Sequence, residues 1–143
     1  MQNYRLTLSY DGTDFFGWQK QAEGRTVQGV LEECLGKIIQ KKTTVIGAGR
    51  TDSGVHAQGQ VASFKAVLGI DDEQLLRALN SLLPEDVRVA SLEKVDKNFH
   101  ARKMAKSKVY QYRIFNSPRI SPFHLRYVPV SYTHLRAHET VLD

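Results

Sequence analysis

The amino-acid sequence predicts an α+β fold in which two helices cover one face of a mainly antiparallel sheet. Three observations support this prediction. Strand-like segments alternate with two amphipathic helical segments, the 143 residues suffice for one domain with a core, and 41% of them are hydrophobic. The predicted order is strand, helix, strand, strand, helix, strand, strand. A ferredoxin-like sandwich is the natural arrangement for that order.

The first half of the predicted fold begins with a strand at residues 4–10, where polar and apolar side chains alternate and a turn follows. Apolar side chains then recur every three or four residues, which predicts a helix with Thr26 as its N-cap. These apolar positions are Val27, Val30, Leu31, Cys34, Leu35 and Ile38. Residues 43–46 and 60–64 are predicted to be the next two strands.

A stripe of leucines predicts the second helix. Asp71 and Gln74 form a capping-box-like start, and Pro84 marks the end. The stripe consists of Leu75, Leu76, Leu79, Leu82 and Leu83. Residues 87–92 and 109–115 are predicted strands, and the last of these would place Tyr110 and Tyr112 on one face.

The charge balance favours a polyanionic partner, since 20 Lys and Arg stand against 15 Asp and Glu, for a net charge of +5. Cations concentrate at residues 94–113, around Tyr110 and Tyr112. They are Lys94, Lys97, Arg102, Lys103, Lys106, Lys108 and Arg113. Cations among aromatics suit phosphate attraction and base stacking, although lysines that protect a strand edge would give the same composition.

The cysteine content and the hydropathy exclude several classes of protein. A single cysteine, Cys34, excludes an internal disulfide framework, and its place on the helical stripe indicates a buried thiol. No apolar run has the length of a membrane span, and the N-terminus lacks the apolar core of a signal peptide. We therefore expect a cytoplasmic protein with no membrane partner.

Residues 47–57 hold one acid, Asp52, in a glycine-rich turn between two predicted strands. Glycines let the backbone turn tightly, and a carboxylate on such a turn is placed to meet a substrate. Arg50 can share that site. A dinucleotide-binding loop is excluded because its sixth position would be Asp52 and no helix follows, and the Gly-Lys-Ser/Thr ending of a P-loop is missing. A plain hairpin turn with a solvated Asp is the alternative.

The run from Gly49 to Ala57, Gly-Arg-Thr-Asp-Ser-Gly-Val-His-Ala, resembles the catalytic signature of the tRNA pseudouridine synthases of the TruA type. Further ordered blocks resemble the same family, at residues 10–21, 26–32, 79–84, 99–102 and 108–112. The resemblance implies an RRM-like sandwich that is the first half of a pseudouridine synthase fold. It fades near residues 128–130, and the second half of the family fold is missing from the sequence.

The resemblance implies that this protein takes part in the family reaction, the isomerisation of uridine to pseudouridine in the anticodon stem-loop of tRNA, without a cofactor. Asp52 would be the catalytic residue, acting either as a nucleophile at C1′ or C6 or as a base at C2′. Arg50 would orient Asp52 and hold the flipped nucleotide, and Tyr110 would stack on the uracil. Further candidates for RNA contact are Arg102, His56 and Lys108. The resemblance also implies a homodimer at full length.

Two other functions are compatible with parts of the sequence. A non-catalytic RNA-binding module would use the same basic and aromatic surface without isomerisation. A metal-dependent hydrolase would use the histidines, and His134 and His138 are four residues apart, so they could share a helix face as a metal pair. Glu139 follows the second His instead of standing in the His-Glu-x-x-His order, and no metal is expected.

The C-terminal residues 131–143 resemble the translated read-through of a sequencing adapter. We therefore expect residues 1–130 to form the first half of the catalytic domain and residues 131–143 to be a non-native tail. Because half a cleft cannot hold a flipped nucleotide in reactive geometry, we expect the chain alone to be inactive.

Overall fold

In a computed structural model, the residues described are 1–106 and Pro122. The elements follow in the order β1 (Gln2–Tyr10), a 3-10 turn (Gly12–Asp14), α1 (Val27–Ile39), β2 (Ile46–Gly47), β3 (Ala57–Ala66), α2 (Asp72–Leu82) and β4 (Val87–Val95). All of them belong to one compact unit, Met1–Ala105. The predicted strand at 109–115 and the predicted tail at 131–143 lie outside the described residues.

The four strands form one sheet in the order β2-β3-β1-β4, and every neighbouring pair is antiparallel. β1 lies in the middle and pairs with both β3 and β4. The β-α-β-β-α-β order of the described elements is that of a ferredoxin-like fold. The predicted α+β class is therefore confirmed.

One hydrophobic core joins the sheet to both helices, so both helices lie on the same face. Alternate residues of β1 enter this core, as expected for a strand with one buried face. The buried strand and helix residues include Tyr4, Leu6, Leu8, Tyr10, Val27, Leu31, Cys34, Leu35, Phe64, Leu75 and Leu79. Burial raises the pKa of the Cys34 thiol, in agreement with the predicted structural role of that side chain.

The predicted starts of both helices are confirmed by their hydrogen bonds. Thr26 Oγ1 accepts a bond from Gly29 N at 3.2 Å, and Asp71 with Gln74 forms a reciprocal capping box. The predicted burial of Leu82 is wrong, because that residue is 45% exposed. The buried leucines are four residues apart, at Leu75, Leu79 and Leu83, so Leu83 is buried and Leu82 is not.

The strand predicted at 43–46 is wrong in extent, because β2 contains only Ile46 and Gly47. The backbone of Val45 is held by helix α1 instead of by a neighbouring strand. Gln28 Nε2 donates to Val45 O at 2.8 Å, and Val45 N donates to Glu32 Oε2 at 2.9 Å. Sequence alternation could not reveal this, since the competing partners are polar side chains of a helix.

Candidate active site

The loop between β2 and β3 carries Asp52, and backbone hydrogen bonds fix the loop on both sides of that residue. Trp18 N donates to Thr51 O at 3.0 Å, immediately before Asp52. Gly54 N donates to Phe15 O at 3.2 Å, two residues after it. The segment that follows β1 therefore positions the acid.

A tight turn places Asp52 at the protein surface. Val55 N donates to Asp52 O at 3.1 Å, which closes a four-residue turn. Gly54 at the third position has φ +80°, as a type II turn requires. Asp52 itself is exposed, so a substrate can approach its carboxylate.

Tyr10 at the end of β1 supports the loop from the core side. Its hydroxyl lies 2.8 Å from Thr51 Oγ1 in a hydrogen bond. Burial raises the pKa of the Tyr10 hydroxyl, while its hydrogen bonds oppose that shift. The ring packs beside Phe15 and Trp18, with centroids 6.4 and 6.3 Å away. The loop therefore rests on an aromatic cluster.

Two glycines of the segment after β1 allow the acid loop to approach closely. A Cβ atom on Gly12 would lie 1.9 Å from Val55 O, and one on Gly17 would lie 2.6 Å from Thr51 O. Gly17 also has φ +84°, which L residues rarely adopt. In the sequence, residues 10–21 and the acid loop are separate motifs, but in the structure they pack against each other.

His56 contacts the backbone of the segment after β1. Its Nδ1 accepts a hydrogen bond from Gly12 N at 2.9 Å and lies 3.2 Å from Asp11 Oδ1. The role of His56 in RNA contact stays a prediction.

Arg50 and Asp52 are both exposed, and no ion pair joins them in the described part of the chain. The backbone at the start of the loop is fixed by β3. Ala48 N donates to Val61 O at 2.8 Å, and Gln60 Nε2 donates to Gly49 O at 2.7 Å. The loop therefore starts from a fixed position, and the orienting role of Arg50 stays a prediction.

An ion pair that the sequence did not indicate lies next to Phe15, whose carbonyl accepts a bond from the acid loop. Arg25 donates two hydrogen bonds to the Asp86 carboxylate, at 2.7 and 2.9 Å, and its guanidinium lies 4.1 Å from the Phe15 ring centroid. The bonds from Arg25 hold the pKa of Asp86 below its usual value. The partners are 61 residues apart, so no local pattern could indicate them.

Arg102 lies in a different part of the fold from Asp52. It is exposed in the turn after β4, and the backbone of its neighbour Ala101 donates to Ser63 Oγ at 3.4 Å. Ser63 is about 20 Å along β3 from Ala57, where the acid loop ends. Tyr110 and Lys108 lie outside the described residues.

Residues 1–106 contain no group of three or more His, Cys, Asp or Glu side chains that could hold a metal ion. No helix in the same part of the chain combines the length and the apolar composition that crossing a membrane requires.

Comparison with known proteins gives the same assignment as the resemblance of the loop. A family model described as tRNA pseudouridine synthase matches residues 7–102, which include the end of β1, the acid loop and β4. This chain belongs to the tRNA pseudouridine synthase family. The predicted family is thereby confirmed.

The chain is similar to several proteins named tRNA pseudouridine synthase A. It is 49% identical to the one from Thermodesulfovibrio yellowstonii over 128 residues, covering 90% of this chain and 50% of that protein. The identity is 53% for Methylacidiphilum infernorum, covering 85% of this chain and 48% of the relative. The identity is 47% for the protein from Aquifex aeolicus, covering 86% of this chain and 51% of that relative. The chain thus spans about half the length of these curated relatives.

Proposed function

We propose that this chain supplies the first half of an enzyme that isomerises uridine to pseudouridine in the anticodon stem-loop of tRNA, with Asp52 as its catalytic residue. The observation that carries this proposal is the placement of Asp52. It is an exposed acid on a closed turn that backbone bonds hold on both sides. Membership of the family supports the reaction, and the names of the relatives support tRNA as the substrate.

The reaction needs a carboxylate held at the junction between ribose and base. The C1′–N1 glycosidic bond breaks, the uracil turns while it is bound, and a C1′–C5 bond forms. C5 loses its proton and N1 gains one, so no electrons are gained or lost. The target nucleotide must first leave the RNA stack, which costs a few kcal/mol. A fixed turn suits this chemistry, because the backbone that carries the carboxylate does not have to be ordered again at each turnover.

Three reaction roles are open to Asp52. It can attack the sugar C1′ or the uracil C6 as a nucleophile, or it can remove a proton from C2′. Each role needs the same approach of the carboxylate to the flipped nucleotide. We propose Arg50 as the neighbouring cation that steadies Asp52 and the open nucleotide, because it precedes Asp52 by two residues in the same loop.

Further RNA contacts are proposed from the sequence. Tyr110 would stack on the uracil. Arg102, Lys108 and His56 would contact the RNA backbone. Both exposed cations and aromatic side chains serve this purpose in RNA-binding proteins. The family resemblance also supports a cytoplasmic homodimer for the full-length protein.

The test replaces Asp52 by Asn in residues 1–130 joined to the second half of the Thermodesulfovibrio yellowstonii relative. Tritium release from uridine labelled at C5 in tRNA measures turnover, and filter binding measures affinity. We expect loss of turnover with RNA affinity within about twofold of the unchanged protein, since the change keeps the shape and removes the charge.

Ser53→Ala provides a control in the same turn, and it should retain turnover. Substantial turnover by Asp52→Asn would refute the catalytic assignment. No turnover by the unchanged joined protein, with RNA binding intact, would favour the non-catalytic RNA-binding module.

A further inference from the structure

A cleft of about 570 Å³ lies at the edge of the sheet and is lined by cations. We call it the lysine cleft, defined by Lys42, Lys65, Lys97 and Lys103. His100 and Met1, which carries the amino terminus, line it too. No acidic residue of the described part of the chain belongs to its lining.

The short β2 strand creates one side of the cleft. β2 pairs with β3 only at Ile46–Ser63 and Gly47–Ala62. Beyond Ser63, that edge of β3 has no partner strand among residues 1–106, because α1 holds the backbone of Val45. The backbone edge of β3 at Lys65 therefore has no partner strand within residues 1–106.

A fixed turn after β4 forms the other side. Asn3, which is 2% exposed, donates from Nδ2 to Asp96 O at 3.0 Å and to Phe99 O at 2.8 Å. Lys103 N donates to His100 Nδ1 at 3.1 Å. The segment that carries Lys97 and Lys103 is thus held in place beside β1.

The four cleft lysines lack carboxylate partners among the described residues. All four are exposed, and none forms an ion pair there. Three lysines outside the cleft do form ion pairs, at 3.5 to 3.9 Å, namely Lys20 with Glu32, Lys37 with Glu33 and Lys94 with Asp72. Lys41 and Lys106 also lack an ion pair in this part of the chain, but they do not line the cleft. What distinguishes the cleft is that four such cations line one cavity, and this favours an anionic ligand.

The cleft lies too far from Asp52 to bind the same nucleotide. At one end of β1, Tyr10 is bonded to Thr51, next to the acid. At the other end, Asn3 lines the cleft. The seven steps along β1 from Asn3 to Tyr10 span about 23 Å. This distance is longer than one nucleotide, so a single nucleotide cannot occupy both the cleft and the site at Asp52.

We propose that the lysine cleft binds the phosphate backbone of the RNA substrate several nucleotides from the target uridine. The identity of the RNA rests on the proposed function. Lysines act as point charges toward phosphate and carry no sequence information, so the cleft supplies affinity and register.

The test compares Lys65→Gln/Lys103→Gln with Lys37→Gln/Lys94→Gln, which removes the same charge from lysines outside the cleft lining. Binding of an unmodified tRNA transcript by the 143-residue chain is measured over a series of salt concentrations. The cleft variant should bind about tenfold more weakly at 0.1 M salt, with a salt slope reduced by about 1 to 2. The control should stay within about twofold of the unchanged chain.

A charge-preserving variant controls for loss of affinity through misfolding. Lys65→Arg/Lys103→Arg should keep the affinity, and a loss equal to that of the Gln variant would overturn the proposal. Equal binding by the Gln variant and the unchanged chain would show that the lysines only protect a strand edge. Competition by polyglutamate as effective as that by tRNA would assign the cleft to an acidic polypeptide instead.

Turnover separates this proposal from the proposed function. In the protein joined to the second half of the relative, the Gln variant should raise KM and leave kcat within about twofold. A large loss of kcat at saturating tRNA would refute the proposal that the cleft binds RNA away from the active site. Turnover by Asp52→Asn would refute the catalytic assignment and leave the binding result unchanged.

Discussion

Gly12 and Gly17 decide how closely the acid loop can approach the end of β1. Both stand where a side chain would meet backbone oxygens of the loop, at Val55 and Thr51. Backbone cannot move aside as the end of a flexible side chain can. These two glycines therefore set the position of the loop that carries Asp52.

Gly12→Ala should destabilise the protein and displace the loop, because the added Cβ would lie 1.9 Å from Val55 O. We expect a loss of about 1–3 kcal/mol in unfolding free energy, as for other overpacked sites. Urea unfolding of the chain measures the loss.

Gly69→Ala is the matched control, since a Cβ there would meet no atom within 4 Å. It should change stability by less than about 0.5 kcal/mol. Equal stability of the two variants would show that the loop shifts freely and that Gly12 does not position it.

Helix α1 and the segments around it hold the site at the level of whole elements. Gln28 and Glu32 hold Val45 and shorten β2, which opens the sheet edge. Arg25, just before α1, joins Asp86, just before β4, and also covers Phe15. The Phe15 carbonyl accepts the bond from Gly54 in the acid loop. One ion pair thus connects two elements to the loop.

The Arg25–Asp86 pair should make stability depend on acid pH. The bonds from Arg25 lower the pKa of Asp86 below the ordinary 3.8. The contribution is therefore fully present above about pH 4 and is lost as pH falls through the lower folded-state pKa. Urea unfolding between pH 6 and pH 2 should show a smaller fall in stability for Asp86→Asn than for the unchanged chain.

A double-mutant cycle with Arg25→Gln isolates the pair. Because the side chains of Arg25 and Asp86 are 38% and 24% exposed, solvent screens the interaction, and we expect a coupling of about 1 kcal/mol at pH 7. Additive effects of the two substitutions would show that the pair contributes nothing to stability.

At the level of the whole molecule, the chain spans about half of each relative it matches. We expect the 143-residue chain and residues 1–130 to lack pseudouridine formation, and the protein joined to a relative's second half to have it. Half a cleft cannot exclude water or hold a flipped nucleotide. The same tritium-release measurement on the three proteins tests this expectation.

We expect residues 131–143 to take no part in function. The 143-residue chain and residues 1–130 should bind tRNA equally, with affinity falling as salt rises. Robust pseudouridine formation by residues 1–130 alone would contradict the requirement for a second half.

The amino-acid sequence alone determined the fold class, both helix starts, the Asp52 loop and the family. These are local properties: period, capping side chains and a contiguous motif carry them. The tertiary structure decided what depends on distant partners. The backbone of Val45 is bonded to side chains of helix α1 instead of to a strand, and Arg25 forms an ion pair with Asp86. Four lysines from separate segments line one cleft. Such contacts form between segments whose separation in the chain no local pattern encodes.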